Sequence, residues 1–288
     1  MTSKDWLTKA RAENFAIGAF NIDNLDILKA VCTAAVSRKS PIIVEFSQGE
    51  VDYFGLENIV DLVKNAREEY KIPLLLNLDH SKKSEQTLKV IEIGGFDNVH
   101  FDGSDLGFEE NIEEAKKVVS AAHAKGVLVE GEFNRIAGSS QVHTEEIDLE
   151  ELSKSYTDPK GAAEFVTKTG VDILAPIFGN VHGTFPIEPD LDMSLLKEIR
   201  EAVGDTFIAM HGGSGIAADQ VKEAINVGGI VKVNVNTELR SAFKDAFSES
   251  FEENPKEYAY YNLTPDVILA IAAVVEAKID VFGSANRL

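Results

Sequence analysis

The chain has 288 residues, 44% of them hydrophobic, a length that allows one large α/β barrel or two ordinary domains. Its 48 acidic side chains outnumber the 28 basic ones, so the formal net charge is −20 at pH 7. That charge disfavours nucleic acid and anionic membranes as partners, and any bound phosphate must be held by local hydrogen-bond donors.

Cysteine usage and the apolar runs favour a reducing compartment. The single cysteine, Cys32, lies in an apolar helical stretch, where we expect it to be buried and free of an intrachain disulfide. The N-terminal segment lacks the apolar region of a secretory signal. The longest apolar run, at 267–275, is too short to cross a bilayer. We therefore expect a cytoplasmic protein.

Eight short apolar segments are predicted to be buried strands, and each precedes a stretch with helical periodicity. In chain order they are 16–22, 41–47, 73–80, 98–104, 127–133, 173–179, 207–213 and 230–237. No Pro- or Ser-rich linker separates them. The pattern predicts an α/β fold, a single (β/α)₈ TIM barrel over 1–288, whose strand middles fill the interior with bulky aliphatic side chains. An open doubly wound sheet would leave the eighth unit unexplained.

Two segments lie outside this repeat. The polar connection after the fifth strand, at about 134–158, is long enough to be a lid or a binding loop at the catalytic face. Near the C-terminus, Thr264 and Pro265 predict the start of a final helix.

Three of the six histidines follow apolar runs: His80, His182 and His211. Parallel α/β folds place their chemistry where strands end. Three neutral imidazoles with an open fourth position are a ligand set of catalytic Zn²⁺. The pattern therefore predicts a zinc site at the mouth of the barrel.

Neighbouring residues extend this prediction. Asp102 and Glu132 end adjacent strands and could bind a cation at a second position. His100, two residues before Asp102, is either a core histidine or a partner that orients a metal ligand. His123, near a helix end, is expected on the surface.

Glycine-rich turns follow the two later histidines, at Gly183 and at 212–215. Such turns let backbone N–H groups approach an anion, and barrels commonly bind phosphate after strands seven and eight. Those loops here read HGGSG and NVNT. A single Asp, Ser or Asn at a strand–helix junction is usually a helix cap, but polar residues recur at all eight strand ends.

These motifs together resemble the class II, metal-dependent ketose-bisphosphate aldolases, the family of fructose- and tagatose-bisphosphate aldolases. The similar segments keep their order over nearly the whole chain: GAFNIDN, PIIVEFSQGE, LDH, FDGSDLGFEENI, VEGEF, YTDP, GNVHG, HGGSGI, VNVNTELR and FGSANR.

The resemblance implies reversible aldol cleavage of a ketose 1,6-bisphosphate, here fructose 1,6-bisphosphate, to dihydroxyacetone phosphate and glyceraldehyde 3-phosphate. Tagatose 1,6-bisphosphate or another ketose phosphate is the alternative substrate. It makes His80, His182 and His211 ligands of Zn²⁺ and Asp79 the acid/base. It also assigns Asp102 and Glu132 to a position for a second divalent metal or a monovalent cation.

The substrate-binding residues implied in the same way are Ser47, Gly183, Gly212, Gly213, Ser214, Asn234, Val235, Asn236 and Thr237. Relatives are commonly homodimers or homotetramers, so the same is expected here. A lysine Schiff base would be the other route to an aldolase, but Lys232 stands well before the end of its strand.

The chain departs from the family pattern in places. Ser81 follows LDH where glycine is common, Asp105 stands in place of a histidine, and GTFPIEP lacks a basic residue. The long loop lacks the expected acid near its start, which leaves His143, Glu145 and Glu146 as candidate proton carriers. A barrel that binds metal and phosphate with little aldolase activity is therefore the second functional hypothesis.

Overall fold

The computed structural model describes residues 1–288, and eight of its strands close into a parallel barrel. The ten strands are β1 (Ile17–Asn21), β2 (Ile42–Phe46), β3 (Leu74–Ser81), β4 (Asn98–Asp102), β5 (Leu128–Glu132), β6 (Gly138–Val142), β7 (Ile173–Leu174), β8 (His182–Thr184), β9 (Phe207–Met210) and β10 (Ile230–Val235). Around the barrel the order is β1-β10-β9-β7-β5-β4-β3-β2. The predicted TIM barrel is confirmed.

Thirteen helices connect the strands or flank them. They are α1 (Ser3–Ala12), α2 (Leu25–Arg38), α3 (Gln48–Phe54), α4 (Leu56–Tyr70), α5 (Ser84–Ile93), α6 (Phe108–His123), α7 (Leu149–Lys154), α8 (Pro159–Thr169), α9 (Met193–Ala202), α10 (Ala218–Gly228), α11 (Thr237–Glu253), α12 (Tyr260–Leu263) and α13 (Pro265–Phe282). The predicted final helix is α13, which begins at Pro265 after Thr264. None of these helices has the length and apolar character needed to cross a membrane.

Local sequence explains the limits of α2. The Asn24 side chain accepts a hydrogen bond from the Ile27 N–H at 2.9 Å, which satisfies a free donor of the first turn. Lys39 ends the helix in the left-handed conformation, with φ at 50°. Cys32 is fully buried and unpaired, as expected, and burial raises the pKa of its thiol to about 12.

Helix α1 closes the end of the barrel at which the strands begin. Trp6 and Leu7 of this helix join one buried apolar cluster with Ile17, Leu75 and other residues near strand starts. A larger cluster of 58 buried residues includes outward-facing strand residues and the helices around them. Because this end is sealed by apolar side chains, access to the interior is from the end where the strands finish.

The middle of the barrel interior is polar, and the prediction of an aliphatic filling was wrong at this level. Glu45, Asn77, His100, Glu130 and Lys232 are all fully buried there. The Lys232 ammonium group lies 2.8 Å from a Glu130 carboxylate oxygen and 3.3 Å from one of Glu45. Ion pairing between three strands therefore replaces apolar packing.

Strands β6 and β8 form a separate two-stranded parallel sheet. It joins the long loop after β5 to the segment after β7, and β7 itself is only the two residues Ile173–Leu174. The predicted strand at 173–179 therefore ends early. His182 belongs to β8, eight residues beyond the end of β7, and is held by pairing with β6.

Candidate active site

A cleft of about 270 Å³ opens where the barrel strands end. Its wall is almost entirely polar, with Ile136 as the single hydrophobic member. The other lining residues are Asn21, Ser47, Asp79, His80, Lys82, Asp102, Glu132, Arg135, Gly138, Ser140, His182, Gly183, His211, Gly212, Ser214, Asn234, Asn236, Thr237 and Arg240. Most of the predicted site residues therefore share one cavity.

His80 and His211 present ring nitrogens to each other. His80 Nε2 lies 3.0 Å from His211 Nδ1, close to the separation of about 3.3 Å expected for two nitrogens bound tetrahedrally to one zinc ion. His80 adopts φ of 45° at a shift in the strand register. A non-glycine residue in this region is strained, which is common where a side chain is held for function.

Residues deeper in the barrel interior contact both His80 and His211. His211 Nε2 lies 2.5 Å from Glu130 Oε1, and the His80 backbone N–H donates to His100 Nδ1 at 3.3 Å. His100 is fully buried, and its ring centroid is 4.6 Å from that of His80. It is thus both a core histidine and a neighbour of a predicted ligand.

His182 completes a cluster of three imidazoles. Its ring centroid lies 4.9 Å from that of His80 and 5.8 Å from that of His211. Burial lowers the pKa of His182 well below its usual value and lowers that of His211 to about 4. Neutral imidazole is the form that binds a metal, so these donors fit a zinc ion.

Asp79 lies beside these rings and is held by two amides. Asn21 Nδ2 donates to one carboxylate oxygen at 3.2 Å, and Asn234 Nδ2 donates to the other at 3.3 Å. Burial would raise the pKa of Asp79, but the charge of His80 and the nearby imidazole of His100 hold it well below its usual value. Asp79 is therefore a fixed carboxylate.

A second acidic group lies on the other side of His80. His80 Nδ1 is 2.8 Å from Asp102 Oδ2 and 3.8 Å from Glu132 Oε2. Burial and the charge of Asp102 raise the pKa of Glu132 to about 8. Burial opposes charge on His80, yet the carboxylates of Asp79 and Asp102 raise its pKa to about 10.

The predicted phosphate segments form a cradle of free donors. The backbone N–H groups of Ser214, Asn236 and Thr237 donate to no acceptor of the protein. Helix α11 begins at Thr237 without a side-chain cap, and because Asn236 and Thr237 line the cleft, its positive end faces the cleft. Free amides at a helix N-terminus are a standard anion site.

Two glycines of this wall have no room for a side chain. Gly212 has φ of 68°, and a Cβ there would lie 1.9 Å from the Val181 carbonyl oxygen. Gly183 has φ of 102°, with a Cβ position 2.5 Å from the Ser139 carbonyl oxygen. The close approach of backbone to the cleft therefore requires glycine at both positions.

Some predicted site residues lie outside the cleft wall. Gly213 donates its N–H to the Asn234 carbonyl, and Val235 is buried in its strand. His143 stacks on Phe185 with ring centroids 4.2 Å apart, and its Nε2 lies 3.0 Å from the Ser139 carbonyl oxygen. The remaining two, Glu145 and Glu146, are exposed.

Other residues of the site were not assigned a role from the sequence: Asn21, Lys82, Glu130, Arg135 and Arg240. The Arg240 guanidinium contacts Asp23 at 2.7 Å and Glu50 at 2.9 Å. The signal that could have identified Arg240 as a site residue is its position in VNVNTELR, one helical turn after Thr237. Glu130 was expected only as one of the polar residues at strand ends, and Lys82 carried no signal, because the partners of both are distant in the sequence.

Comparison with known proteins agrees with this geometry. A model of the family described as fructose-bisphosphate aldolase, class II, matches residues 1–287. The chain belongs to the class II fructose-bisphosphate aldolase family. It is therefore an aldolase, a carbon–carbon lyase, as predicted.

Relatives of this class II aldolase match it over full length. The fructose-bisphosphate aldolases of Streptococcus pneumoniae and Geobacillus stearothermophilus are 37% and 36% identical, covering 100% of this chain and 99% and 98% of theirs. A protein of Alkalicoccus urumqiensis named sulfofructosephosphate aldolase is 34% identical over 100% of this chain and 98% of its own. The solved YdjI aldolase of Escherichia coli K12 superposes with a TM-score of 0.83 at 31% identity, covering 99% of this chain and 97% of that one.

The interior lysine of this aldolase has no access to substrate. Lys232 is fully buried, is paired with Glu130 and Glu45, and does not line the cleft. A Schiff base needs an exposed neutral amine, whereas these carboxylates raise the pKa of Lys232 against the opposing effect of burial. The geometry thus agrees with the sequence-based expectation that this aldolase does not use a lysine Schiff base.

Proposed function

We propose that this aldolase reversibly cleaves a ketose 1,6-bisphosphate, with fructose 1,6-bisphosphate as its substrate and zinc as its metal. The observation that carries the proposal is the placing of three imidazoles and Asp79 in one cleft with the free amides of the anion cradle. The names of the full-length relatives support the substrate.

His80, His182 and His211 would hold the zinc ion, because their rings converge and two of them are neutral by burial. When bound, zinc would act as a Lewis acid that stabilises negative charge developing on the carbonyl oxygen of the ketose. Glu130 would orient His211 through its Nε2 atom.

Asp79 would move the proton that cleavage requires. During cleavage of the C3–C4 bond it accepts the proton of the C4 hydroxyl group, whose carbon leaves as an aldehyde. The bonding electrons pass toward the C2 carbonyl. In condensation Asp79 returns the proton to the aldehyde oxygen. Its low pKa and its two amide partners keep the carboxylate ionised and in place.

The cradle of Ser214, Asn236 and Thr237 would bind the phosphate on C1, with Gly183 and Gly212 allowing the close approach. Ser47 lines the same cleft and is the predicted neighbour of the second phosphate. Binding energy from the phosphate is thereby used to orient the carbons that react. Proton exchange on the dihydroxyacetone phosphate carbon by His143, Glu145 or Glu146 stays a prediction that needs the long loop to move.

The test is a coupled cleavage assay on protein stripped with a chelator and then returned to Zn²⁺, Co²⁺, Mn²⁺ or Mg²⁺. Fructose and tagatose 1,6-bisphosphates are compared with a sulfofructose phosphate, because one relative is named for such a substrate. We expect fructose 1,6-bisphosphate cleavage to disappear on stripping and to return best with zinc. Activity that survives complete removal of metal would refute the proposal.

The second hypothesis, a metal- and phosphate-binding barrel with little aldolase activity, rests on the three loop candidates lying outside the cleft. Binding of zinc and dihydroxyacetone phosphate without cleavage of any of the three sugars would favour it. A cytoplasmic location and a homodimeric or homotetrameric state stay predictions.

A further inference from the structure

The acidic group beside His80 has the composition of a cation site. Ligand atoms of His80, Asp102 and Glu132 all lie within 4.8 Å of one another, and this is the position for a second cation predicted from the sequence. A positive group from the chain already contacts it. The ammonium group of Lys82 lies 2.8 Å from Asp102 Oδ2 and lines the cleft.

We propose that the Lys82 ammonium group takes the place of the second cation, so that this aldolase binds one metal ion per active site. The inference rests on the proposed three-histidine zinc site and concerns how many ions bind beside it.

The hydrogen bonds of Asp102 leave no oxygen free for a metal. Oδ1 accepts from the Ser104 backbone N–H at 3.1 Å and from its hydroxyl group at 2.5 Å. Oδ2 lies 2.8 Å from both His80 Nδ1 and Lys82 Nζ. A carboxylate has about four acceptor sites, and these four donors fill them. A cation at this position would have to displace Lys82.

Lys82 is held in place by more than one contact. Its ammonium group also lies 3.2 Å from Asp105 Oδ2 and 3.2 Å from the Ser104 hydroxyl oxygen. Strand β3 ends at Ser81, so the Lys82 backbone leaves the barrel directly beside the acidic group. The residue expected to be histidine is Asp105, and its negative charge is one of the two that anchor the lysine.

This arrangement also fixes which nitrogen of His80 faces the zinc site. Because Nδ1 of His80 is held at 2.8 Å from Asp102, Nε2 is the nitrogen that points at His211. Carboxylate partners of this kind orient metal-binding histidines. Lys82 balances the charge of that carboxylate without adding a competing metal.

The experiment measures zinc alone. Stripped wild-type protein, Lys82→Ala and Lys83→Ala are titrated with Zn²⁺ by calorimetry, and bound zinc is counted by elemental analysis after dialysis. Lys83 is the matched control, because it is an exposed neighbour of equal charge whose side chain makes no ion pair. Circular dichroism confirms that each variant is folded.

We expect one zinc ion per chain in the wild type and in Lys83→Ala, and two in Lys82→Ala. Adding Asp102→Asn to Lys82→Ala should return the number to one. Two ions in the wild type, or one ion in Lys82→Ala, would overturn the inference. A wild type that binds no zinc would instead refute the proposed zinc site, so the two failures are distinguishable.

Discussion

The buried charge network under the three-histidine cluster makes Lys232 a strong test of how this barrel is stabilised. The change is Lys232→Met, which keeps an unbranched apolar side chain of similar length and removes the charge. Glu130 and Glu45, at 2.8 and 3.3 Å from the ammonium group, then lose the lysine that partners both of them. Breaking one side of a buried ion pair costs about 3–5 kcal/mol.

That loss is large against the total of about 5–15 kcal/mol that is usual for folded proteins. The assay is urea unfolding of metal-free protein, followed by circular dichroism and by tryptophan fluorescence from Trp6. We expect the midpoint to fall at unchanged slope, because the same surface becomes exposed. Most of the loss should be recovered in the double variant Lys232→Met with Glu130→Gln, which no longer buries an unpaired carboxylate there.

A decrease below about 1 kcal/mol in the single variant would mean that solvent or a protonated carboxylate replaces the lysine at little cost, and it would refute this reasoning. A double variant no more stable than the single one would refute the pairing of Lys232 with Glu130.

Three further predictions concern pH, metal affinity and the cradle. Burial, then the charge of Asp79, raises the pKa of Glu45 from an ordinary 4.5 to about 8, so its contribution to stability is complete below pH 4.5 and is lost as pH rises through about 8. The free energy of unfolding should fall less steeply with rising pH in Glu45→Gln than in the wild type. Parallel curves of this free energy against pH for the two proteins would contradict the prediction. Glu130→Gln should weaken zinc binding roughly 10- to 100-fold in a competition titration, since His211 loses its orienting partner, and unchanged affinity would remove that role. Gly212→Ala should abolish the binding of dihydroxyacetone phosphate measured by calorimetry, because the new Cβ would clash with the Val181 carbonyl oxygen. The control Gly204→Ala, at a turn with open space around it, should leave this binding unchanged. Binding that persists in Gly212→Ala would show that the cradle tolerates the displacement.

Local patterns were sufficient for the architecture. Eight apolar segments, each followed by a periodic one, indicated the barrel, and strand ends indicated where His80 and His211 would lie. The burial of Cys32 and the start of α13 at Pro265 followed from neighbouring residues alone. These features are readable because side-chain period, caps and turn residues act over a few positions of the chain.

The expectations that were wrong, and the features that the sequence did not reveal, depend on residues that lie far apart in the sequence. The aliphatic interior was the wrong expectation because Lys232 meets Glu130 and Glu45 only after the barrel closes. The place of His182 depends on pairing between β6 and β8, which no periodicity reveals.

Local sequence alone determined the fold class, the candidate metal-ligating residue types and the glycine-rich loops. Tertiary structure alone decided which charges are paired: Glu130 with Lys232, and Asp102 with Lys82. The physical reason is that a buried charge is stable only beside a counter-charge. Which group provides it depends on distances across the barrel, and the linear order of residues does not contain those distances.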